Sequence, residues 1–305
     1  TNTGRAYIFY NGSIVTENAS GADVIITGRT AADLFGIVLI AGAFNADGQT
    51  DLAVSATQTG AAGKVYLFYG DGTLPTTAGT ADVTITGKSG VYGLGRSPVA
   101  GDFNADGRVD LAVGASYYTS DIGEAYIFYN DGSYPANAAN ADVVIGGQGL
   151  YSHFGDALAT GDWNADGRTD LVAGAPGYRG AILQGRAYIF YSQNGQVNTN
   201  QSIAGETTSN SFGAAMTTGD FNADGRMDLA VGARGYSTSR GRAYIFYGDG
   251  QISSTATTAD VTIDGGGGGS DSFGRTLGAG DWNADGETDL AVSGGLSAGT
   301  GIVYL

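Results

Sequence analysis

A nine-residue pattern, Asp-x-Asn-x-Asp-Gly-x-x-Asp, recurs five times in this chain of 305 residues and runs each time into a short apolar stretch. The copies begin at Ala43, Asp102, Asp162, Asp220 and Asp281, so successive starts lie 59, 60, 58 and 61 residues apart. A fixed period in that range belongs to solenoids, propellers and other arrays, in which each repeat buries its apolar faces against its neighbours.

The rest of the period repeats as well. Phe-Gly stands ahead of the loop at Phe35-Gly36, Phe154-Gly155, Phe212-Gly213 and Phe273-Gly274, with Leu94-Gly95 as the variant. Leu-Ala-Val-Gly-Ala or a near copy follows, then an alternating aromatic run such as Gly63-Lys64-Val65-Tyr66-Leu67-Phe68-Tyr69. A shorter alternating run, as in Ala81-Asp82-Val83-Thr84-Ile85, completes the unit. Each period therefore holds four short segments of strand character separated by Gly, Asn, Asp and Ser turns, and no stretch shows sustained helical periodicity. The expectation is an all-β array of about five four-stranded units, read as one domain over 1–305. The ends are out of phase with the units. Residues 4–10 match a third strand, 22–27 a fourth and 301–305 another third, giving twenty-one strands where five closed units need twenty.

The repeated loop has the chemistry of a hard-cation site. Side-chain oxygens at positions one, three, five and nine, with a Gly at six for the sharp bend, suit Ca²⁺. The position-seven carbonyl, from Gln49, Arg108, Arg168, Arg226 or Glu287, is the expected fifth protein ligand. An EF-hand needs a bidentate Glu at position twelve between two helices, but position twelve counted from Asp102 is Val113. An Asp-Gly hairpin turn is the plainer reading, yet a turn alone does not require Asp at both one and nine. The first copy carries Ala43 at position one and is expected to bind weakly or not at all.

Net charge is −16, which argues against nucleic acid, whose phosphates need a basic surface. Prospective loop ligands account for fourteen of the thirty acidic side chains, and five bound Ca²⁺ would take the charge from −16 to −6. With no Cys there is neither a disulfide framework nor thiol chemistry. The longest apolar run, 34–44, is too short to span a bilayer as a helix. No signal peptide is visible at Thr1, and a chain without an initiator Met reads as a processed or trimmed product.

Catalytic patterns are scarce. Gly295-Leu296-Ser297-Ala298-Gly299 matches a nucleophile elbow but lacks a following helix and a downstream His. The sole His, His153, precedes Phe154-Gly155 and reads as a turn or rim residue. Calcium loops explain the paired carboxylates better than glycoside hydrolysis does. The Gly265 to Gly269 run reads as a connection. Tyr and Phe of the third segments are assigned to packing between units ahead of stacking on sugars. Sequons occur at Asn11, Asn18 and Asn200. The connections at 56–63, 116–123, 176–185 and 234–241 vary between repeats and are candidate contact surfaces.

Phe-Gly, then Gly-Asp-Phe-Asn-Ala-Asp-Gly-Arg-x-Asp-Leu-Ala-Val-Gly-Ala, then Gly-Arg-Ala-Tyr-Ile-Phe-Tyr resembles the FG-GAP repeat of the integrin α-subunit β-propeller and its bacterial relatives. The resemblance implies a β-propeller with one four-stranded blade per repeat and calcium between the first two strands. The ligands it implies are Asp102, Asn104, Asp106 and Asp110; Asp162, Asn164, Asp166 and Asp170; Asp220, Asn222, Asp224 and Asp228; Asp281, Asn283, Asp285 and Asp289. The weaker first loop supplies Asn45, Asp47 and Asp51. Integrin propellers have seven blades, against the five motifs here. The implied function is a non-catalytic, calcium-stabilised interaction, adhesion or assembly module, secreted or on the cell surface. Its expected partner is an extracellular protein, matrix, glycan or sister subunit. The alternatives are a propeller lectin and a non-catalytic domain of a larger secreted enzyme.

Overall fold

The computed structural model describes residues 3–10, 18–57, 62–88, 91–118, 121–177, 184–193, 196–250, 252–266, 271–295 and 301–304. Strands dominate these residues. An N-terminal pair, β1 (Arg5–Ile8) and β2 (Val24–Thr27), precedes a first blade of β3 (Phe35–Gly42), β4 (Asp51–Ala56), β5 (Lys64–Phe68) and β6 (Val83–Thr86). The second blade holds β7 (Val91–Gly101), β8 (Asp110–Tyr118), β9 (Glu124–Phe128) and β10 (Val143–Gly146). The third holds β11 (Leu158–Gly161), β12 (Asp170–Ala175), β13 (Arg186–Gln193) and β14 (Gln196–Ala204). The fourth holds β15 (Phe212–Gly219), β16 (Asp228–Ala233), β17 (Arg242–Phe246) and β18 (Val261–Asp264), and the fifth β19 (Leu277–Gly280), β20 (Asp289–Gly295) and β21 (Gly301–Tyr304).

Each sheet is an antiparallel meander in sequence order, four-stranded in the first four blades and three-stranded in the fifth. First strands of successive blades lie side by side, the arrangement of a β-propeller. The twenty-one strands thus fall where the sequence places them.

The repeat's residues explain the packing. Second strands of the first four blades are buried on both faces, with Leu111, Ala112, Val113 and Ala115 all at 0% exposure, because a neighbouring blade covers each side. Third-strand aromatics turn inward: Tyr66, Tyr126, Tyr188 and Tyr244 are at most 4% exposed. The packing reading of these tyrosines therefore holds over sugar stacking.

The Phe-Gly pair works in two directions. Phe35 packs edge-on against Tyr66 and Phe68 of its own third strand, at 5.6 and 6.4 Å between centroids, and Phe212 does the same with Tyr244 and Phe246 at 5.3 and 6.2 Å. Gly213, at φ +87°, faces the preceding blade, where a Cβ would stand 2.7 Å from the Arg186 carbonyl oxygen. Only Gly allows both that conformation and that approach.

The ends keep the pattern without joining. Gly4 bridges to Phe35 as Gly185 does to Phe212, so β1 and β2 are the outer half of a blade placed before the first. At the far end β21 is a true third strand, pairing Tyr304 with Val292 as Tyr244 pairs with Val231. Its Tyr304 meets Phe273 edge-on at 5.3 Å. The sheet of β1 and β2 pairs with neither β20 nor β21.

Candidate metal centres

Each nine-residue loop joins the first strand of a blade to the second, and position nine opens the second strand. Asp51, Asp110, Asp170 and Asp228 are at most 1% exposed there. Asp110 uses both oxygens on backbone amides, accepting from Phe103 N at 2.9 Å and from Asn130 N at 2.8 Å. Asp170 likewise holds Trp163 N and Ser192 N, and Asp228 holds Phe221 N and Gly248 N. In the first loop Asp51 takes Asn45 N and Gly70 N. This residue pins the start of the loop to the end of the third strand, a structural duty that the ligand pattern alone does not reveal. Its signal was available: an acidic residue opening a strand buried on both faces needs partners inside.

The other positions shape the turn. Asp102 accepts from Asp106 N at 3.1 Å and Gly107 N at 2.9 Å, and the pattern repeats for Asp162, Asp220 and Asp281. Asn104, Asn164, Asn222 and Asn283 accept from the position-five amide, as does Asn45. Asp106, Asp166, Asp224, Asp285 and Asp47 accept from the amide of position seven, that is Arg108, Arg168, Arg226, Glu287 and Gln49. Ala43 has no side chain for the first of these bonds.

The backbone is driven into left-handed conformation twice per loop. Ala46, Ala105, Ala165, Ala223 and Ala284 have φ between 56° and 61°, and the position-six Gly follows at 81° to 88°. An L-residue there costs about 1–2 kcal/mol, which the side-chain to amide bonds offset.

The oxygens bond to amides with one lone pair each, leaving a second free, so donor type and number suit a hard cation. Among the described residues, however, no three acidic side chains converge closely enough to form a ready-made cluster. Burial pushes the Asp110 carboxyl up to about 6 despite its two amide donors, and the nearby Asp106 and Asp102 charges add to that rise. Asp170 is pushed up to about 6 in the same way, and burial raises Asp228. Exposed Asp47 is held low by the Gln49 amide and by Asn45.

Neighbouring loops touch. A Cβ at Gly101 would meet the Thr169 side chain at 2.4 Å, one at Gly161 would meet Met227 at 2.7 Å and one at Gly219 would meet Thr288 at 2.6 Å. The residue before each of these three loops thus lies against position eight of the next, and Asp102 N also donates to Thr169 Oγ1 at 3.2 Å. Position eight varies in sequence and carried no signal of this role. A second unflagged acid is the Asp of Ala-Asp-Val: Asp82, Asp142 and Asp260 each accept from a third-strand Tyr amide at 2.8 Å.

The remaining sequence candidates offer little chemistry. His153 sits in a turn at φ 52° with its ring edge-on to Tyr117 at 5.4 Å. Asn18 caps a short 3-10 turn by accepting from Ser20 N. The residues Leu296 to Gly299 of the elbow pattern, Gly267 to Gly269, Asn11, the Asn200 side chain and much of the variable connections lie outside the described residues. No helix among the described residues is long and apolar enough to cross a membrane.

Comparison with known proteins agrees with this geometry. The FG-GAP repeat model matches residues 154–190 and 212–246, and the FG-GAP-like repeat model matches 44–113. Phosphatidylinositol-glycan-specific phospholipase D of Mus musculus is 36% identical over 165 residues, covering 49% of this chain and 19% of that protein. Integrin alpha-PS2 of Drosophila melanogaster is 36% identical over 168 residues, covering 51% of this chain and 12% of the integrin. Integrin alpha pat-2 of Caenorhabditis briggsae is 28% identical over 226 residues, 66% of this chain and 18% of its own. The matched regions thus span about a fifth or less of these relatives. A rhamnogalacturonan lyase of Bacillus licheniformis, 10% identical with a TM-score of 0.49 over 84% of this chain and 46% of the lyase, is too distant to add to the argument. By its repeats and its blades, this chain is an FG-GAP repeat β-propeller.

Proposed function

We propose that the chain is a non-catalytic interaction or assembly module, held rigid by Ca²⁺ in four complete loops and weakly in a fifth, and that it works outside the cell or on its surface. The carrying observation is the repeated loop: oxygen donors at fixed positions on the same left-handed turn in every blade, position one lacking only in the first, with Asp110 and Asp170 at position nine buried and pushed up in pKa by that burial. Bound Ca²⁺ would supply positive charge to each loop and favour the ionised carboxylates. The chain's own residues do the rest. Asp110 and its counterparts tie loop to strand, and the Asn and Asp of positions three and five fix the turn.

Extracellular sites of this kind have dissociation constants of about 10⁻⁴ to 10⁻³ M, which suits external calcium and leaves them mostly empty in cytosol. Likeness to integrin α-subunits supports an adhesive or assembly role. Likeness to part of a phospholipase D supports the second reading, a non-catalytic domain within a larger secreted enzyme. The burial of the third-strand tyrosines removes the main support for a lectin.

Native mass spectrometry with unfolding in millimolar calcium, and again after chelation, tests the reading. Four or five bound Ca²⁺ and a large loss of stability on chelation are expected. No bound metal with an unchanged unfolding midpoint would reduce the loops to turns.

A further inference from the structure

The first two junctions between successive nine-residue loops are each filled by a side chain near the end of a third strand. Between the first and second loops this is Asn130, whose Nδ2 donates to Ala43 O at 3.4 Å and to Val109 O at 3.3 Å, while Arg108 Nη1 donates to Asn130 O at 3.1 Å. Between the second and third it is Ser192, whose Oγ donates to Thr169 O at 2.6 Å, and Thr169 N donates to Asp102 O at 3.3 Å. In the fourth blade the same place is held by Gly248, which like Asn130 and Ser192 gives its amide to the position-nine carboxylate. Without a side chain there, the junction between the third and fourth loops stands open as a cavity of about 320 Å³, with Asp162, Trp163, Arg226, Met227 and Gly248 in its lining.

Unspent hydrogen-bonding groups collect at this open junction. Position two of the first and second loops is Phe44 and Phe103, but the third loop carries Trp163, only 4% exposed, whose indole N–H is buried without a hydrogen-bond partner. A buried N–H left unbonded is costly, and native structures rarely keep one. Arg226 stands at the place of Arg108, yet among the described residues its guanidinium makes no hydrogen bond or ion pair. Met227 O, the counterpart of Val109 O and Thr169 O, receives no side-chain donor, and Asp162 O, the counterpart of Ala43 O and Asp102 O, receives none of the donors that those two accept from. Two donors and two acceptors are thus left at one cavity.

We propose that this cavity receives a primary carboxamide, the side chain of an Asn or Gln on a protein partner. A carboxamide carries two N–H donors and two carbonyl lone pairs in one plane, a match for Met227 O and Asp162 O as acceptors and for Arg226 and the Trp163 indole as donors. The chain itself supplies the precedent, since the carboxamide of Asn130 fills the corresponding junction between the first and second loops. A carboxylate has no proton for either carbonyl and meets the charge of Asp162, and a single hydroxyl brings one donor for two carbonyls. The inference rests on the reading of the chain as an interaction module and gives that module a contact point on its loop face; it does not require bound metal.

The chain has two Trp, so two indole N–H resonances are expected, and Trp282→Phe identifies that of Trp163. An N-acetyl, C-methylamide Gly-Gln-Gly peptide, titrated to about 10 mM as a contact of one side chain requires, is expected to move the Trp163 indole N–H together with the Met227 and Gly248 amides. The Gly-Glu-Gly peptide is expected to bind at least about tenfold more weakly. Trp163→Phe, which installs the ring that Phe44, Phe103 and Phe221 supply in their loops, and Arg226→Ala, at an exposed position, are each expected to weaken the Gln peptide at least about tenfold, read at the two amides, in a folded chain. An unmoved Trp163 indole, equal binding of the Glu peptide, full binding by both variants, or displacement of the peptide by a monosaccharide overturns the proposal. Metal content of the same samples separates this reading from the one it rests on: bound calcium with an unmoved indole removes the pocket alone, and a shifted indole in metal-free protein supports the pocket without calcium.

Discussion

Asp110→Ala and Asp106→Ala separate the two duties of a loop carboxylate. Asp110 is fully buried and satisfies the amides of Phe103 and Asn130, so its removal strands two donors. A buried unsatisfied donor costs about 1–3 kcal/mol, so the pair costs about 2–6 kcal/mol. Removing a buried carboxylate whose pKa stands at about 6 returns part of that at neutral pH, leaving a net loss of about 1–4 kcal/mol in chelator. Asp106 is exposed, and its backbone bond is to the amide of Arg108 at 2.9 Å, so Asp106→Ala costs under about 1 kcal/mol in chelator. In calcium Asp106→Ala acquires a cost of its own. At tenfold its dissociation constant one site adds about 1.4 kcal/mol, and that increment vanishes from the second loop in either variant. Denaturant unfolding with and without calcium, together with amide exchange at Phe103 and Asn130, reads both quantities. Equal destabilisation by the two variants in chelator would refute the structural role of Asp110. An Asp106→Ala chain with the full calcium increment at its own loop would refute the metal role.

Further expectations concern pH, backbone and coupling. Asp110 and Asp170 have folded pKa values of about 6 against an ordinary 3.8, so the folded state binds protons more tightly than the unfolded chain. Their stabilising contribution is complete below 3.8 and is lost as pH rises through about 6. Chelated protein should therefore lose stability across that window, and an unfolding midpoint that instead rises there would contradict the assigned burial. Gly107→Ala, at φ +83° with nothing within 4 Å of the new Cβ, should cost about 1–2 kcal/mol of backbone strain. Gly213→Ala adds a clash with the Arg186 carbonyl to the same strain and should cost clearly more in denaturant unfolding; equal costs would mean that the blades are not packed as described. Because Asp102 N donates to Thr169 Oγ1, Asp166→Ala should raise amide exchange at Asp102 and leave the loop at 281–289 unchanged.

Much of the architecture is legible in the sequence because a repeat states each rule five times. Period, strand count and the fourfold division of each blade follow from Phe-Gly, Leu-Ala-Val and the aromatic run, each of which has a packing duty in the structure. The turn itself was legible for the same reason, since side-chain oxygens at fixed spacing around a Gly are placed to accept from the loop's own amides. The bonds of Asp110 were not legible, because Asn130 lies twenty residues away and is brought back only by the second and third strands. Nor were the contacts of Thr169, Met227 and Thr288, which belong to the stacking of one blade on the next and leave no mark within a single repeat.

That division explains why the ends stay ambiguous in sequence and informative in structure. A repeat motif records what a strand packs against on average, so residues 4–10 and 301–305 both read as third strands. Neither reading says which of them holds β20. The structure gives β20 to β21 and, among the described residues, pairs β1, with its complete third-strand sequence, only with β2. Tyr7 shows what a second strand contributes to burial: with none paired to β1 among the described residues it is 38% exposed, against at most 4% for Tyr66, Tyr126, Tyr188 and Tyr244. In a quasi-one-dimensional array, burial belongs to interfaces between units, and a unit at an end carries half an interface whatever its own sequence.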